Sequence, residues 1–440
     1  MRAACAATAG GAHLPLVTAA AVPARPMPPV TAQTLFFAVA ALVMLGNYYV
    51  YDAIAPVAEL LSRQLHFSDT QIGTLNAIYS LPNIFLVAIG GALVDRFTAR
   101  VMVIATTAVC LLGAAITALG ALFPVMALGR LLFGIGAETL SVAVLVALNQ
   151  WFSAGRFFAT QLALNISLAR LGSYLADRST SFAKPLYDAG WEGPMWLAVG
   201  FAVLSFVAGV CYFFLDRREA RRGTLALPPP GERIQWSQMF NFPRGYWILV
   251  GTCVAFYSVI FPFRSTFAIK YLQEAHGMSN DQAGTLNSYV FLAAAFGTPL
   301  FGMLLDRTGR NTFLLALGAV LLPLSFLVLA VVPSGAGAST ILLGLSFSLL
   351  PAVLWPSVPR YAAPEQLGTA YGLMTTLQNA GLFVANYAAG WINDFNGASA
   401  ANPGGYAPML WFFGMLSLIA FLCTLALWIS GGRRAQPAPA

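Results

Sequence analysis

The sequence predicts an all-α integral membrane protein with twelve spans, and three observations carry that prediction. Of its 440 residues, 58% are hydrophobic and 9% charged, with mean hydropathy +0.74, whereas a soluble globular chain is about 25% charged. Apolar runs of about 20 residues or more recur along the whole chain, each long enough at about 1.5 Å per helical residue to cross about 30 Å of hydrocarbon. The runs are continuous and do not alternate with a period of two. That selects helices over closed barrels, the other structure that satisfies its backbone in lipid.

In chain order, residues 1–31 are rich in Ala, Pro and Gly and lack a clean apolar core before a cleavage site, so they read as a disordered cytoplasmic tail. The first span, near 33–62, carries GNYYVYD (46–52), in which Asn47, Tyr48, Tyr51 and Asp52 form one helical stripe. The second, near 69–94, contains QIGTLN (71–76) and leads into GALVDRFTAR (91–100). The third and fourth lie near 100–122 and 125–150; the fourth holds RLLFGIGAE (130–138), an apolar stretch bearing one acid, Glu138. The fifth, near 156–180, carries QLALNISLARLGS (161–173) with Arg170, and the sixth lies near 194–215. DRREARRGTLALPPPGERIQ (216–235) is basic and broken by three prolines, which suits a linker between two six-span halves. The seventh span, near 244–273, offers Tyr257 and Arg264; the eighth, near 279–305, contains QAGTLN (282–287) and runs into GMLLDRTGR (302–310). The ninth lies near 311–333, the tenth (337–361) carries Trp355, the eleventh (366–393) carries Gln378 and Asn379, and the twelfth lies near 407–430. The expected organisation is therefore a tail to residue 31, a bundle over 32–216, a linker over 217–242, a second bundle over 243–431 and a tail over 432–440.

An internal repeat supports that division. QIGTLN recurs as QAGTLN at an offset of 211 residues, and in the same register Gly91, Leu93, Asp95 and Arg96 meet Gly302, Leu304, Asp306 and Arg307. Two homologous bundles related by a parallel repeat describe the halves of a major facilitator transporter. GALVDRFTAR and GMLLDRTGR resemble the signature loop of that superfamily. Asp95, Arg96, Arg100, Asp306, Arg307 and Arg310 are thus expected to make contacts in one rocking state and break them in the other. Arg130 with Gly134 and Gly136 resembles the superfamily's fourth-helix pattern, with Glu138 where a small residue is usual.

Sixteen of the 23 basic residues fall in the tails and in the loops, or their edges, that share a side with them. The positive-inside rule makes that side cytoplasmic, and topology then accounts for the net charge of +7 without nucleic acid. The five cysteines (Cys5, Cys110, Cys211, Cys253, Cys423) are scattered with no metal-ligand spacing. No nucleophile–base pair or phosphate loop is present, so neither an enzyme, a metal nor a cofactor is expected.

Glu138 is about 12 residues into its span, roughly 18 Å deep, and Arg170 lies at nearly the same depth in the next helix. Each costs roughly 2.5–3.5 kcal/mol if it faces lipid, so both should face a central cavity, pair with each other, or both. One reading is a buried ion pair fixing helix packing. The other is a receptor for a zwitterion, Glu138 taking an ammonium and Arg170 a carboxylate. Asn47, Tyr48, Tyr51, Asp52, Tyr257, Trp355, Gln378 and Asn379 fall at cavity depth, while Asp52 and Arg264 lie nearer the outer mouth and suit a gate as well.

GNYYVYD, YSLPN, FGIGAETLSVA, LARLGS, FPF (261–263), LGLSFSLLPAVLWP and LGTAYGLMTTLQNAGL, in order through both halves, resemble the major facilitator superfamily domain-containing protein 1 family. The resemblance implies lysosomal-type dipeptide uniport by alternating access, Glu138 contacting the peptide amino terminus and Arg170 its carboxylate. A proton-coupled symporter of organic anions or amino acids is the alternative, and a non-transporting membrane sensor a third. The tail carries no acidic dileucine signal, and the Ala/Arg-rich composition with two lysines suits a bacterial cytoplasmic membrane, the lysosomal membrane being the alternative; a monomer is expected. An accessory subunit is not legible in these residues.

Overall fold

The computed structural model describes residues 28–86, 97–152, 158–225, 242–308, 311–332, 334–362 and 366–431, and within them the protein is all-helical. The first half comprises α1 (Val30–Asp52), α2 (Ala58–Leu65), α3 (Asp69–Ser80), α4 (Ala99–Leu119), α5 (Phe123–Phe152), α6 (Phe158–Phe182), α7 (Lys184–Ala189) and α8 (Glu192–Arg221). The second comprises α9 (Arg244–Pro262), a π-helical turn (Phe263–Phe267), α10 (Ala268–His276), α11 (Asn280–Thr308), α12 (Asn311–Val331), α13 (Ala336–Leu354), α14 (Leu367–Phe395) and α15 (Ala407–Gly431).

Among the described residues nine helical stretches are long and apolar enough to cross a bilayer. The other three predicted spans hold α3, α6 and α14, which are more polar. Asn165, Arg170, Ser173 and Asp177 interrupt α6, and Gln378, Asn379, Asn386 and Asn393 interrupt α14. All three lie at the junction between the halves, where a polar face has somewhere other than lipid to go.

Within the first half α1 packs on α6 and α8, and α4 on α5 and α8; within the second, α9 packs on α14 and α15, α11 on α13, and α12 on α13 and α15. The most extensive contacts between the halves are α3 with α14 and α6 with α11. Apolar burial alone gives no preference between neighbours in lipid, so close approach at small residues selects them. A Cβ on Gly113 of α4 would lie 2.5 Å from the Phe133 nitrogen of α5.

Several expectations fall on residues outside this description: most of the two predicted tails, residues 226–241 of the linker, and the stretch 91–96 with Asp95 and Arg96. The same holds for Arg310 and for the side chain of Asp306. Arg307 is exposed in the last turn of α11. Arg100 lies with Nη1 3.6 Å from Asp216 Oδ2, joining α4 to α8 inside one half.

Candidate functional site

A cavity of about 860 Å³ lies between the halves, lined from eight helices. It takes Asn47, Tyr48 and Tyr51 from α1, Tyr79 from α3, Glu138 and Ser141 from α5, and Arg170 from α6. The second half adds Tyr257 and Phe261, Thr298 and Met303, Trp355, and Thr375, Gln378, Asn379 and Leu382. Leu164, Ile166 and Met303 line the part nearest the chain termini and are exposed, so the cavity opens toward that end.

The spacing within each helix explains who arrives. Glu138 and Ser141, Tyr257 and Phe261, and Gln378 and Leu382 are three or four residues apart and share one face. Trp355 comes from the 3₁₀ turn Trp355–Arg360, where Pro351, Pro356 and Pro359 interrupt the regular ladder at the end of α13.

Glu138 and Arg170 enter the cavity without pairing with each other. Tyr79 Oη donates to Glu138 Oε1 at 3.3 Å. The Arg170 guanidinium carbon sits 5.1 Å from the centre of the Tyr48 ring and 5.0, 5.7 and 5.8 Å from those of Phe347, Phe261 and Phe291. Its Nη1 is buried and finds no hydrogen-bond acceptor among the described residues. Aromatic faces hold a guanidinium in place while leaving its fork of N–H donors in the plane, ready for a carboxylate. Opposite, Trp355 Nε1 donates to Tyr257 Oη at 3.0 Å, and Cys253 Sγ to Gln378 Oε1 at 3.5 Å.

Asp52, which the helical stripe groups with Asn47, Tyr48 and Tyr51, does not line the cavity. It is fully buried at the C-terminus of α1 with Oδ1 2.9 Å from Arg264 Nη1. Arg264 also donates through Nη2 to Asp177 Oδ2 of α6, and its guanidinium carbon lies 3.4 Å from the Phe291 ring centre. It projects from the π-helical turn that follows Pro262, a wider turn of the kind often found at functional sites.

This triad belongs to a seal across the end distal to the termini. Lys270 pairs with Asp69 and lies 3.8 Å from Glu274. Asp394 accepts from the backbone nitrogens of Asp69 and Thr70, both at 2.8 Å, and Asn393 donates to Asp69 Oδ2 at 2.8 Å. Arg178 donates to Thr285, and Ser181 to Asp281.

The repeated QxGTLN segments build this seal in duplicate. Ser68 and Gln71 form a reciprocal capping box at 3.0 and 3.2 Å, and Ser279 and Gln282 form the same box at the same distances. Gly73 and Gly284 mark the two close approaches: a Cβ would lie 2.3 Å from the Asn386 carbonyl oxygen and 2.6 Å from that of Asp177. Asn76 Nδ2 donates across the halves to Ser265 O at 2.9 Å and Thr266 Oγ1 at 2.8 Å. Asn287 Nδ2 donates to Asp177 Oδ2 at 3.2 Å.

Arg130 is buried inside the first half. It donates to the carbonyls of Val50 (3.1 Å), Tyr51 (3.1 Å) and Leu75 (3.3 Å) and to Asn76 Oδ1 (2.5 Å). It caps the C-terminal carbonyls of α1 and reaches the interface only through Asn76. Tyr79, Asp177, Lys270 and Asp69 were not singled out from the sequence. Of these, Asp177 and Lys270 carried a usable signal, a charge in a helix end that faces no tail.

A model of the Major Facilitator Superfamily matches residues 37–267 and 248–440. The chain is similar to the lysosomal dipeptide transporter MFSD1 of Danio rerio, with 34% identity over 367 residues covering 80% of this chain and 78% of that one. It is also similar to the lysosomal dipeptide transporter MFSD1 of Homo sapiens, with 32% identity over 364 residues and coverage of 80% and 78%. Among solved structures, a bacterial homolog to the human lysosomal transporter Spinster, inward-facing and unoccupied, matches with TM-score 0.73 and 16% identity over 94% of this chain and 100% of that one. At that identity the likeness speaks for the fold.

Proposed function

This chain belongs to the Major Facilitator Superfamily and is a multi-pass membrane transporter, not an enzyme, and we propose that its cargo is a dipeptide or similar small zwitterion, moved by uniport. The observation that carries this reading is one acid and one base sharing a cavity without neutralising each other. Among the described residues Glu138 is held by a tyrosine hydroxyl at 3.3 Å, and Arg170 keeps a buried N–H donor with no acceptor. A buried unpartnered donor is costly to maintain and is satisfied by a carboxylate that arrives with the cargo. The volume of about 860 Å³ is within the range of small-molecule sites. The MFSD1 relatives are lysosomal dipeptide transporters, which agrees with this reading.

Alternating access draws on the distal seal, in which the pairs of Arg264 with Asp52 and Asp177, of Lys270 with Asp69 and of Asp394 with the Asp69 and Thr70 backbone cross between the halves and can be exchanged as the bundles rock. With the termini cytoplasmic, as the distribution of arginines expects, the seal faces outward and the cavity opens inward. Asp95, Arg96, Arg100, Asp306, Arg307 and Arg310 are then proposed to act at the cytoplasmic face, and Arg264 at the outer one. Glu138→Gln or Arg170→Ala removes a charge-assisted hydrogen bond of about 1.5–3 kcal/mol, so affinity for Ala-Ala falls by about 10- to 150-fold. Thermal stabilisation by the dipeptide and uptake into liposomes measure this; unchanged transport by both variants would overturn the reading. A second reading, proton-coupled symport, draws on two carboxylates sharing the one Arg264 guanidinium; it requires uptake to follow an imposed pH gradient.

A further inference from the structure

Helix α8 runs for 30 residues, about 45 Å at about 1.5 Å per residue, and so outreaches about 30 Å of hydrocarbon. One face, with Tyr212, Leu215, Asp216 and Glu219, is buried against α1 and α4. On the other, Val203, Val207, Cys211 and Phe214 are exposed at intervals of three or four, which makes them a single lipid-facing stripe. Arg217, Arg218, Arg221 and Arg222 continue that stripe, are all exposed, and with Phe214 line a hollow of about 420 Å³. From the exposed Trp196 near the opposite end to Phe214 is about 27 Å, so the arginines begin where the hydrocarbon ends. We propose that this arginine face is a binding site for the phosphate of an anionic phospholipid, held in the leaflet nearest the chain termini.

Two of the four arginines are answered from within the helix. Arg222 Nη1 lies 2.8 Å from Glu219 Oε1, and Arg218 Nε 3.9 Å from the same oxygen. Asp216, the other nearby acid, is taken by Arg100 of α4 at 3.6 Å. Arg217 and Arg221, one turn apart, form no ion pair among the described residues. The neighbouring chain is poor in the missing anion: residues 226–241 contain one acid, Glu232, beside Arg233, and residues 1–29 and 432–440 contain none. A phospholipid supplies it at the right depth. Its phosphate meets the guanidinium forks through two oxygens, while its acyl chains lie along Phe214, Cys211 and Val207 and the arginine stems cover the boundary between them. A lipid whose headgroup carries its own cation brings that cation toward the same arginines, so the site favours a headgroup with net negative charge. A soluble phosphate ester satisfies the arginines but leaves the apolar stripe unused.

The test titrates the purified full chain in detergent with phosphatidylglycerol or phosphatidylcholine and counts retained lipid by native mass spectrometry, with glycerol 3-phosphate as competitor. Phosphatidylglycerol is expected to be retained about tenfold more tightly than phosphatidylcholine, and excess glycerol 3-phosphate to leave it in place. Arg217→Gln with Arg221→Gln removes two headgroup-facing charges and is expected to weaken phosphatidylglycerol about 30-fold while the unfolding midpoint stays put, because both side chains are exposed. Arg433→Gln with Arg434→Gln removes the same charge from the C-terminal tail and is expected to cost less than threefold. Equal retention of the two lipids, or an equal loss in the two double variants, overturns the site in favour of diffuse attraction. Displacement by glycerol 3-phosphate overturns the lipid as its occupant in favour of a soluble phosphate.

Discussion

Replacing Arg264 by leucine should open the distal end of the transporter. Arg264 is fully buried and holds Asp52 at 2.9 Å and Asp177 by a second nitrogen, both from the opposite half. Its loss strands two carboxylates, and removing one partner of a buried pair costs about 3–5 kcal/mol. The cost falls on the distal-closed state, because opening lets water reach both acids. The closed-to-open ratio should therefore drop by about two to three and a half orders of magnitude. Nitroxide labels at Arg63 and Ala401, exposed distal positions on opposite halves, report this as a shift of their distance distribution to longer values, in a background with Cys5, Cys211 and Cys423 replaced by serine. Arg264→Lys keeps the charge but loses the two-pronged geometry and should shift it less. Adding Asp177→Asn to Arg264→Leu removes one stranded charge and should restore part of the closed population. An unchanged distribution in Arg264→Leu, with unchanged melting temperature, would refute the assignment of the triad as a latch.

Gly390→Val should act at the same seal by sterics, since a Cβ there would lie 2.3 Å from the Asp69 carbonyl oxygen and 2.8 Å from the Thr70 Cα. The same label pair should move apart, whereas Gly200→Ala, with nothing within 4 Å of the added carbon, should leave it in place. Arg130→Leu leaves three buried carbonyls and Asn76 without their donor and should cost about 3–5 kcal/mol of stability, read as a lower midpoint in thermal or denaturant unfolding with Arg130→Lys intermediate. Trp355→Phe deletes the 3.0 Å donation to Tyr257, worth about 1 kcal/mol of stability, and should lower the unfolding midpoint by less than Arg130→Leu does.

Much of this was legible in the chain. Glu138 and Arg170 stood out because a charge within an apolar run needs a reason, and both line the cavity. The repeated QxGTLN was visible as a pattern, but its use as two capping boxes, two close approaches and two bridging asparagines was not, since each depends on what lies opposite. Asp52 shows the limit of helical phase. It falls on the stripe of Tyr48 and Tyr51, yet it sits at the end of α1, where Arg264 from the other half reaches it before the cavity does. Tyr79 was hidden because a tyrosine in an apolar helix has several ordinary uses, and its bond to Glu138 spans 59 residues.

The chain by itself determined that it inserts, that it is helical and that its halves are duplicates, because transfer from water to hydrocarbon and helical periodicity are properties of each segment alone. Which acid meets which base was decided only when the bundles came together. Arg264 reaches Asp177 across 87 positions, Lys270 reaches Asp69 across 201 and Asp394 reaches the Asp69 backbone across 325. No local pattern specifies such contacts; they exist because helix packing brings distant ends to one face, and it is there that the closed state is held.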